Sequence, residues 1–308
     1  MVGSFGNERF DSAFSGGQDY GRQVHAYLIS SDEKDGRRVI IPGMATDWRI
    51  SSDGLTWNLT IRKGVKFHNG TEVTAEDSLW TLRHLMGPQA KEYVNATTLQ
   101  SLSRIMDKIE LSGPDQVSVT TKIPQPEFLF TISEAVGVLY GQVLPKREAI
   151  HDLSAEAAYD KNPIGTGLMK LVRHVPADLM AFERFPDYYY QPANGLPKDK
   201  RINFSFFDLR LIPEEATRVA ALRAGEADIA PVTLGTKRQV EAGGGRLIFG
   251  QEGTFFYGSM LGCWKEQAQF PCRDKRVRQA LQYALNKELM RDQLYGGPEV
   301  MQVKGRAL

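Results

Sequence analysis

The sequence predicts an α/β fold of mixed α+β character, on three observations. Short stretches alternate strictly between apolar and polar residues on either side of Gly, Asp and Asn turns, the pattern of hairpins. Amphipathic helical stretches stand apart instead of following every strand. The composition, 42% hydrophobic and 24% charged over 308 residues, is that of a globular chain with room for two ordinary domains or one large one.

Residues 1–45 are polar and Gly-rich, with turn signals at Ser15-Gly16-Gly17 and Lys34-Asp35-Gly36. Patterning sharpens at Trp48-Arg49-Ile50, which leads into the turn Ser51-Ser52-Asp53-Gly54. Leu55, Trp57, Leu59 and Ile61 then alternate with polar residues, so the pair predicts a hairpin with one buried face. A second turn at Asn69-Gly70 follows Val65–His68. Thr74, with Asp77 three residues on, predicts a capped helix start. Leu79, Leu82 and Met86 supply its apolar stripe, and Gly87-Pro88 stops it.

Lys108–Leu111 and Gln116–Thr121 flank another turn. Lys146–Asn162 looks mostly helical up to Pro163. After Ile164-Gly165-Thr166-Gly167, Met169–Val172 and Met180–Glu183 predict paired strands, and Ile202–Leu211 a further one. Pro213 suits a first helical position, with Ala216, Val219, Ala220 and Leu222 as the buried face and Gly225 just past the end. Asp228–Val232 and Arg246–Gly250 are expected to be strands. Val277, Ala280, Leu281, Ala284 and Leu285 mark an amphipathic helix, followed by a shorter one from Asn286.

Several function classes are disfavoured. Lys and Arg total 38 against 37 for Asp and Glu, so the basic excess of a dedicated nucleic-acid binder is missing. No run approaches the ~18 apolar residues of a membrane helix, and the first ten residues lack the basic and apolar regions of a secretory signal. His25, His68, His84, His151 and His174 form no ligand pair at helical spacing and are read as surface or structural. No nucleophile elbow or phosphate loop occurs, and no carboxylate pair is singled out. The chain is therefore read as a non-enzyme with no cofactor and no metal.

Two features remain open to a functional reading. Tyr188-Tyr189-Tyr190 and Phe255-Phe256-Tyr257 suit either a ligand cleft or a core, since Tyr combines a large apolar face with a polar tip. Cys263 and Cys272 are close enough to bridge a small loop, or they are two reduced thiols.

Four segments together resemble the extracellular solute-binding proteins of the oligopeptide/dipeptide class (family 5), which serve ABC importers. The most specific runs from Ser52-Asp53-Gly54-Leu55-Thr56-Trp57 through Ile61-Arg62-Lys63-Gly64-Val65-Lys66-Phe67-His68-Asn69-Gly70-Thr71 to Val73-Thr74-Ala75-Glu76-Asp77. The others are Asn162–Gly167 with Phe182–Tyr189, Arg223–Asp228, and Asp274–Leu281. Order and spacing fit the family from Gly3 to Gly297.

The resemblance implies a type II clamp of the periplasmic-binding-protein kind. Residues 1–25 and 166–256 would form the first lobe, 26–165 an inserted domain, and 257–308 the start of a second lobe, mostly missing because family members are considerably longer. It implies a peptide or related small solute held between two lobes, importer permease subunits as partners, a monomer, no nucleic acid, and a periplasmic or cell-envelope location. Other cargo in the family includes sugars, opines, nickel chelates and haem; a truncated fragment without function is the remaining alternative. Carried over by position, Gly17 and Gln18 would pair with peptide backbone, Tyr93 would face the cleft, and Phe255, Phe256 and Tyr257 would border it at the lobe crossover. An exported protein would also favour the Cys263–Cys272 bridge, which adds about 2–4 kcal/mol. Half a cleft leaves a ligand wet, so tight binding by this chain alone is not expected.

Overall fold

The computed structural model describes residues 1–6, 8–10, 20–35, 37–90, 97–136, 141–146, 159–196, 200–248, 270–294 and 297–298, at 97–99 for the backbone only. The chain divides into two units, Met1–Pro213 and Glu214–Leu308.

In the first unit a short helix α1 (Gly21–Val24) precedes a hairpin of β1 (Ile29–Lys34) and β2 (Arg37–Pro42), in register from Ile29↔Pro42 to Lys34↔Arg37. Only the turn of this hairpin was expected. Its base is pinned by Glu134, which accepts from the Ser30 hydroxyl (2.7 Å), the Ser31 N–H (3.1 Å) and Lys200 (2.8 Å). Burial alone would raise the Glu134 carboxyl, but Lys200 and Ser30 outweigh it and hold the group below its usual range.

The expected hairpins become one antiparallel sheet. It comprises β3 (Ala45–Ile50), β4 (Thr56–Ile61), β5 (Met106–Gly113) and β6 (Gln116–Thr121), in the order β3-β4-β6-β5. Trp57, Leu59 and Ile61 point into the core while Thr56, Asn58 and Thr60 do not, as the alternation requires. Helix α2 (Ala75–Met86) lays Leu82, Leu85 and Met86 into the same core as Ile109, Val117 and Val119. Its start is fastened by Asp77. One carboxylate oxygen accepts from the Thr74 N–H (2.8 Å) and the Thr74 hydroxyl (2.7 Å), and the other from the Lys146 N–H (2.9 Å). Helix α3 (Thr97–Ile105) runs directly into β5, and α4 (Phe128–Thr131) is a single turn.

A third sheet pairs β7 (Met169–Val175), β8 (Leu179–Arg184) and β9 (Phe206–Arg210), all antiparallel. Val2 runs parallel beside the end of β9, donating to Arg210 (2.9 Å) and accepting from Ile212 (2.9 Å). Of the helical stretch expected over 146–162, residues 147–158 lie outside the described residues and 159–161 are helical.

Among the described residues, the unit holds two hydrophobic cores. One is built from residues between Ala26 and Val143, together with Tyr188, Tyr189, Tyr190 and Leu196. The other joins Phe5, Phe10, Tyr20 and Val24 to Leu144, Tyr159, Met169, Leu171, Met180 and Phe182. The three consecutive tyrosines are thus core residues, at most 7% exposed.

In the second unit α5 (Glu215–Ala224) starts two residues after Pro213, because Glu214 is extended and serves as the N-cap. Its buried face is rotated from expectation: Arg218, Val219 and Ala221 are buried, whereas Ala216 and Ala220 are exposed. The Arg218 side chain turns inward to donate to the Pro231 carbonyl (3.0 Å). Gly225 ends the helix in the left-handed conformation (φ 73°), as expected. Residues 228–232 and 246–248 are not strands, and no partner strand pairs them among the described residues. Helix α6 (Lys237–Ala242) follows. Helices α7 (Lys275–Ala284) and α8 (Lys287–Leu294) form where their patterns place them, yet neither buries a residue; Leu281, Leu285 and Leu294 are about half exposed or more, at 49%, 55% and 67%.

Candidate ligand-binding region

The residues on either side of Gly17 and Gln18 that the structure describes, Phe10 and Tyr20, are buried aromatics. Phe10 and Tyr20 face each other at 4.9 Å between ring centroids, and both are almost fully buried. Three consecutive residues before the segment are fixed by distant partners. Glu8 sits in the left-handed region (φ 55°), where its carboxylate meets the His174 ring (2.7 Å) and accepts from the Ala177 N–H (2.9 Å). Arg9 pairs with Asp160 at 2.7 Å. The Phe10 N–H donates to the same carboxylate at 2.6 Å, and the Phe10 carbonyl meets His25 Nε2 at 3.1 Å. Burial pushes the Tyr20 phenol well above its usual range, so it stays neutral.

Asp160 therefore satisfies a buried N–H and a guanidinium together. Asp160→Ala is expected to cost about 2–3 kcal/mol, since it leaves both without their carboxylate, and Asp160→Asn about half of that. Urea midpoints of the two variants check this; equal midpoints to the parent would show that the anchor carries no stability.

A second fixed point lies where the chain passes between the two cores. Residues 24–26 and 165–167 run side by side there. The Gly167 N–H donates to Val24 (2.7 Å), and the Ala26 N–H reaches the Thr166 hydroxyl (3.4 Å). Neither glycine has room for a side chain: a Cβ on Gly165 would lie 2.0 Å from the Val24 oxygen, and one on Gly167 2.3 Å from the Gln23 oxygen. His68 closes the other side, with ring Nε2 3.0 Å from the Gly167 oxygen and its backbone N–H donating to the Gly165 carbonyl (2.9 Å). Burial pushes its imidazole down to about 4, against the hydrogen bond it donates to the Gly167 carbonyl, and Lys170 adds to the fall.

The residues expected to touch a ligand, Gly17, Gln18, Tyr93, Phe255, Phe256 and Tyr257, all lie outside the described residues, as does Cys263. What is described is their flanks. Phe10 and Tyr20 bracket the first pair, and buried Ala90 and α3 bracket Tyr93. Cys272 is disulfide-bonded. The anchoring residues Glu8, Asp160 and His174 were not singled out from sequence, because their partners lie 150 to 169 positions away and no local motif marks them. Among the described residues no group of three or more His, Cys, Asp or Glu is placed to hold a metal ion, and no helix is long and apolar enough to cross a membrane.

The family model described as bacterial extracellular solute-binding proteins, family 5 middle, matches residues 39–302. Among curated proteins the chain is similar to the glutathione-binding protein GsiB of Pectobacterium atrosepticum, at 28% identity over 82% of this chain and 44% of that protein. It is also similar to the oligopeptide-binding protein AppA of Bacillus subtilis, at 26% identity over 96% of this chain and 51% of that protein. The chain spans about half the length of the curated relatives it matches. Among solved structures it is similar to the ABC transporter-associated periplasmic binding protein DppA of Helicobacter pylori in complex with the peptide STSA. That match has a TM-score of 0.64 at 25% identity, over 78% of this chain and 48% of the other. It shares its fold with the substrate-binding protein CtaP of Listeria monocytogenes, with a TM-score of 0.70 at 22% identity, over 97% and 57%.

Proposed function

The chain belongs to the bacterial extracellular solute-binding proteins of family 5, and from that premise we propose that it is solute-capturing machinery of an ABC importer, taking peptides or a related small solute and handing them to a membrane permease outside the cytoplasm. Its fold is the mixed α/β kind of the periplasmic binding proteins. The observation that carries the reading is the family match across residues 39–302. Peptide cargo is favoured over sugars, opines, nickel chelates or haem because curated relatives are named for glutathione, oligopeptides and di- or tripeptides.

In this reading residues 1–25 and 166–256 build one lobe, 26–165 the inserted domain and 257–308 the beginning of the opposite lobe. One core draws most of its residues from between Ala26 and Val143, which supports that division, while Tyr188, Tyr189, Tyr190 and Leu196 join it from the first lobe. Gly17 and Gln18 would pair with the peptide main chain, which reads length and direction more than side-chain identity. Tyr93, Phe255, Phe256 and Tyr257 would supply flat apolar walls. Cys272 would bridge to Cys263. The ligand is bound and released unchanged; ATP is spent by the partner.

Clamp closure supplies much of the burial in such proteins, so this chain by itself is expected to bind short peptides in roughly the millimolar range, about −4 kcal/mol. Calorimetric titration with glutathione and with di- to tetrapeptides tests this. Saturable binding that Tyr93→Ala and Phe256→Ala both weaken, with unchanged melting, supports the reading. Binding indifferent to both, or cleavage of the peptide, sinks it.

A further inference from the structure

His68 occupies a position where adding one proton reverses an interaction. The residue is 9% exposed. Its Nε2 lies 3.0 Å from the Gly167 carbonyl oxygen, and its Nδ1 faces the Gly165 N–H at 3.4 Å. A carbonyl only accepts and an amide N–H only donates, so the ring must be neutral, with its proton on Nε2 and a bare lone pair on Nδ1. A proton on Nδ1 would set two donors against each other.

The segment cannot yield toward the opposite side. Gly165 and Gly167 lie so close to the backbone of Gln23 and Val24 that even an added Cβ would clash with it, so residues 165–167 sit between that backbone and the imidazole. Ile164 is held next to the wedge by the Tyr159 hydroxyl (2.9 Å). Among the described residues, the carboxylates nearby are already paired with lysines. Phe185 meets it edge-on at 4.9 Å. From β7 comes Lys170, paired with Glu183 of β8 at 3.0 Å, and from its own loop Lys66, paired with Asp187 at 3.4 Å. Across Gly165 stands a second imidazole, that of His25.

We propose that His68 is an acid-operated latch on the crossover between the two cores of Met1–Pro213. Neutral, it pins residues 164–167 against 24–26; protonated, it releases them, and the cores uncouple before either one melts. The direction follows from linkage. The latched ring is held down to about 4 by burial, while a released ring takes up its proton near 6.5. Acid therefore favours release, by about tenfold in the opening equilibrium per pH unit between those limits.

Hydrogen exchange read by mass spectrometry, normalised to the intrinsic rate at each pH, tests this on the full chain and on His68→Gln, whose amide can still donate to Gly167. In the parent, peptides covering 164–168 are expected to open about tenfold more at pH 5 than at pH 6, while peptides of β5 and β6 do not change. In His68→Gln the acid response should vanish. An equal response in that variant overturns the proposal, and so does a parent that opens uniformly across both cores. Should the variant not fold, the imidazole of the parent is followed by NMR. Its titration must share its midpoint with the opening of 164–168, and separate midpoints overturn the latch.

Discussion

Gly167→Ala leaves the first unit without its crossover. A methyl group there would stand 2.3 Å from the Gln23 oxygen and 2.5 Å from the Val24 carbonyl carbon, both backbone atoms. No rotamer change relieves such a clash; the segment must move, and moving it breaks the bond from the Gly167 N–H to Val24 and the contact with His68. Overpacking of this kind costs about 3 kcal/mol or more, a large share of the ~5–15 kcal/mol that separates a folded domain from its unfolded chain. The control is Gly113→Ala in β5, where the nearest atoms would be 3.5 Å away at the Gln116 side chain, an ordinary contact. Urea denaturation should show the first variant shifted far down or unfolded without denaturant, and the second close to the parent. A parent-like midpoint for Gly167→Ala would mean that residues 165–167 and 24–26 are not in contact.

The second large effect is expected at Asp77. The carboxylate is 6% exposed and accepts three hydrogen bonds, two from Thr74 and one from the Lys146 N–H. It caps α2 and also ties a chain segment 69 residues away to the helix start. Asp77→Ala removes the cap and strands a backbone donor, for which about 3 kcal/mol is expected. Asp77→Asn keeps an acceptor and should lose about half as much. Thr74→Ala keeps the N–H bond and loses only the hydroxyl, so it should be the mildest of the three. The urea midpoints should fall in that order with an unchanged slope; a harmless Asp77→Ala would place the stability of α2 entirely in its apolar face.

These sites differ in how plainly the sequence announces them. Thr74 and Asp77 are three residues apart, and helix geometry alone brings their groups together, so the cap is legible. The same holds for Trp57, Leu59 and Ile61, whose alternation needs only the pleat of one strand. The hairpin of β1 and β2 was missed because Ile-Ser-Ser-Asp-Glu-Lys carries no alternation; its support comes from Glu134 and Lys200, far along the chain. Residues 228–232 have strand-like composition but no described partner, and a strand is defined by its neighbour. In α5 the apolar periodicity pointed to Val219, which is buried, but also to Ala216 and Ala220, which are exposed, while Arg218 is buried with its side chain on a carbonyl. The glycines of the Ile164–Gly167 segment were visible as a motif, whereas the backbone they press against was not. Gly17, Gln18 and Tyr93 were suggested by family likeness alone and Phe255–Tyr257 also by their aromatic clustering, whereas the flanking anchors, Glu8 with His174 and Arg9 with Asp160, depend on contacts no local pattern encodes.

The second core also sets an order of events in time. It needs Phe5, Phe10, Tyr20 and Val24 from the start of the chain and Met169, Met180 and Phe182 from much later, and Val2 finds its strand partner only at Arg210 and Ile212. The sheet of β3 to β6, by contrast, can close on local partners. In any process that delivers the chain from its N-terminus, that sheet can form first while the opening segment waits. At ribosomal speeds of ~5–20 residues per second that wait is on the order of 10–40 s. Through it, the apolar side chains of the first 24 residues remain without their partners, and that interval is when the newborn chain is most open to holdases and to self-association.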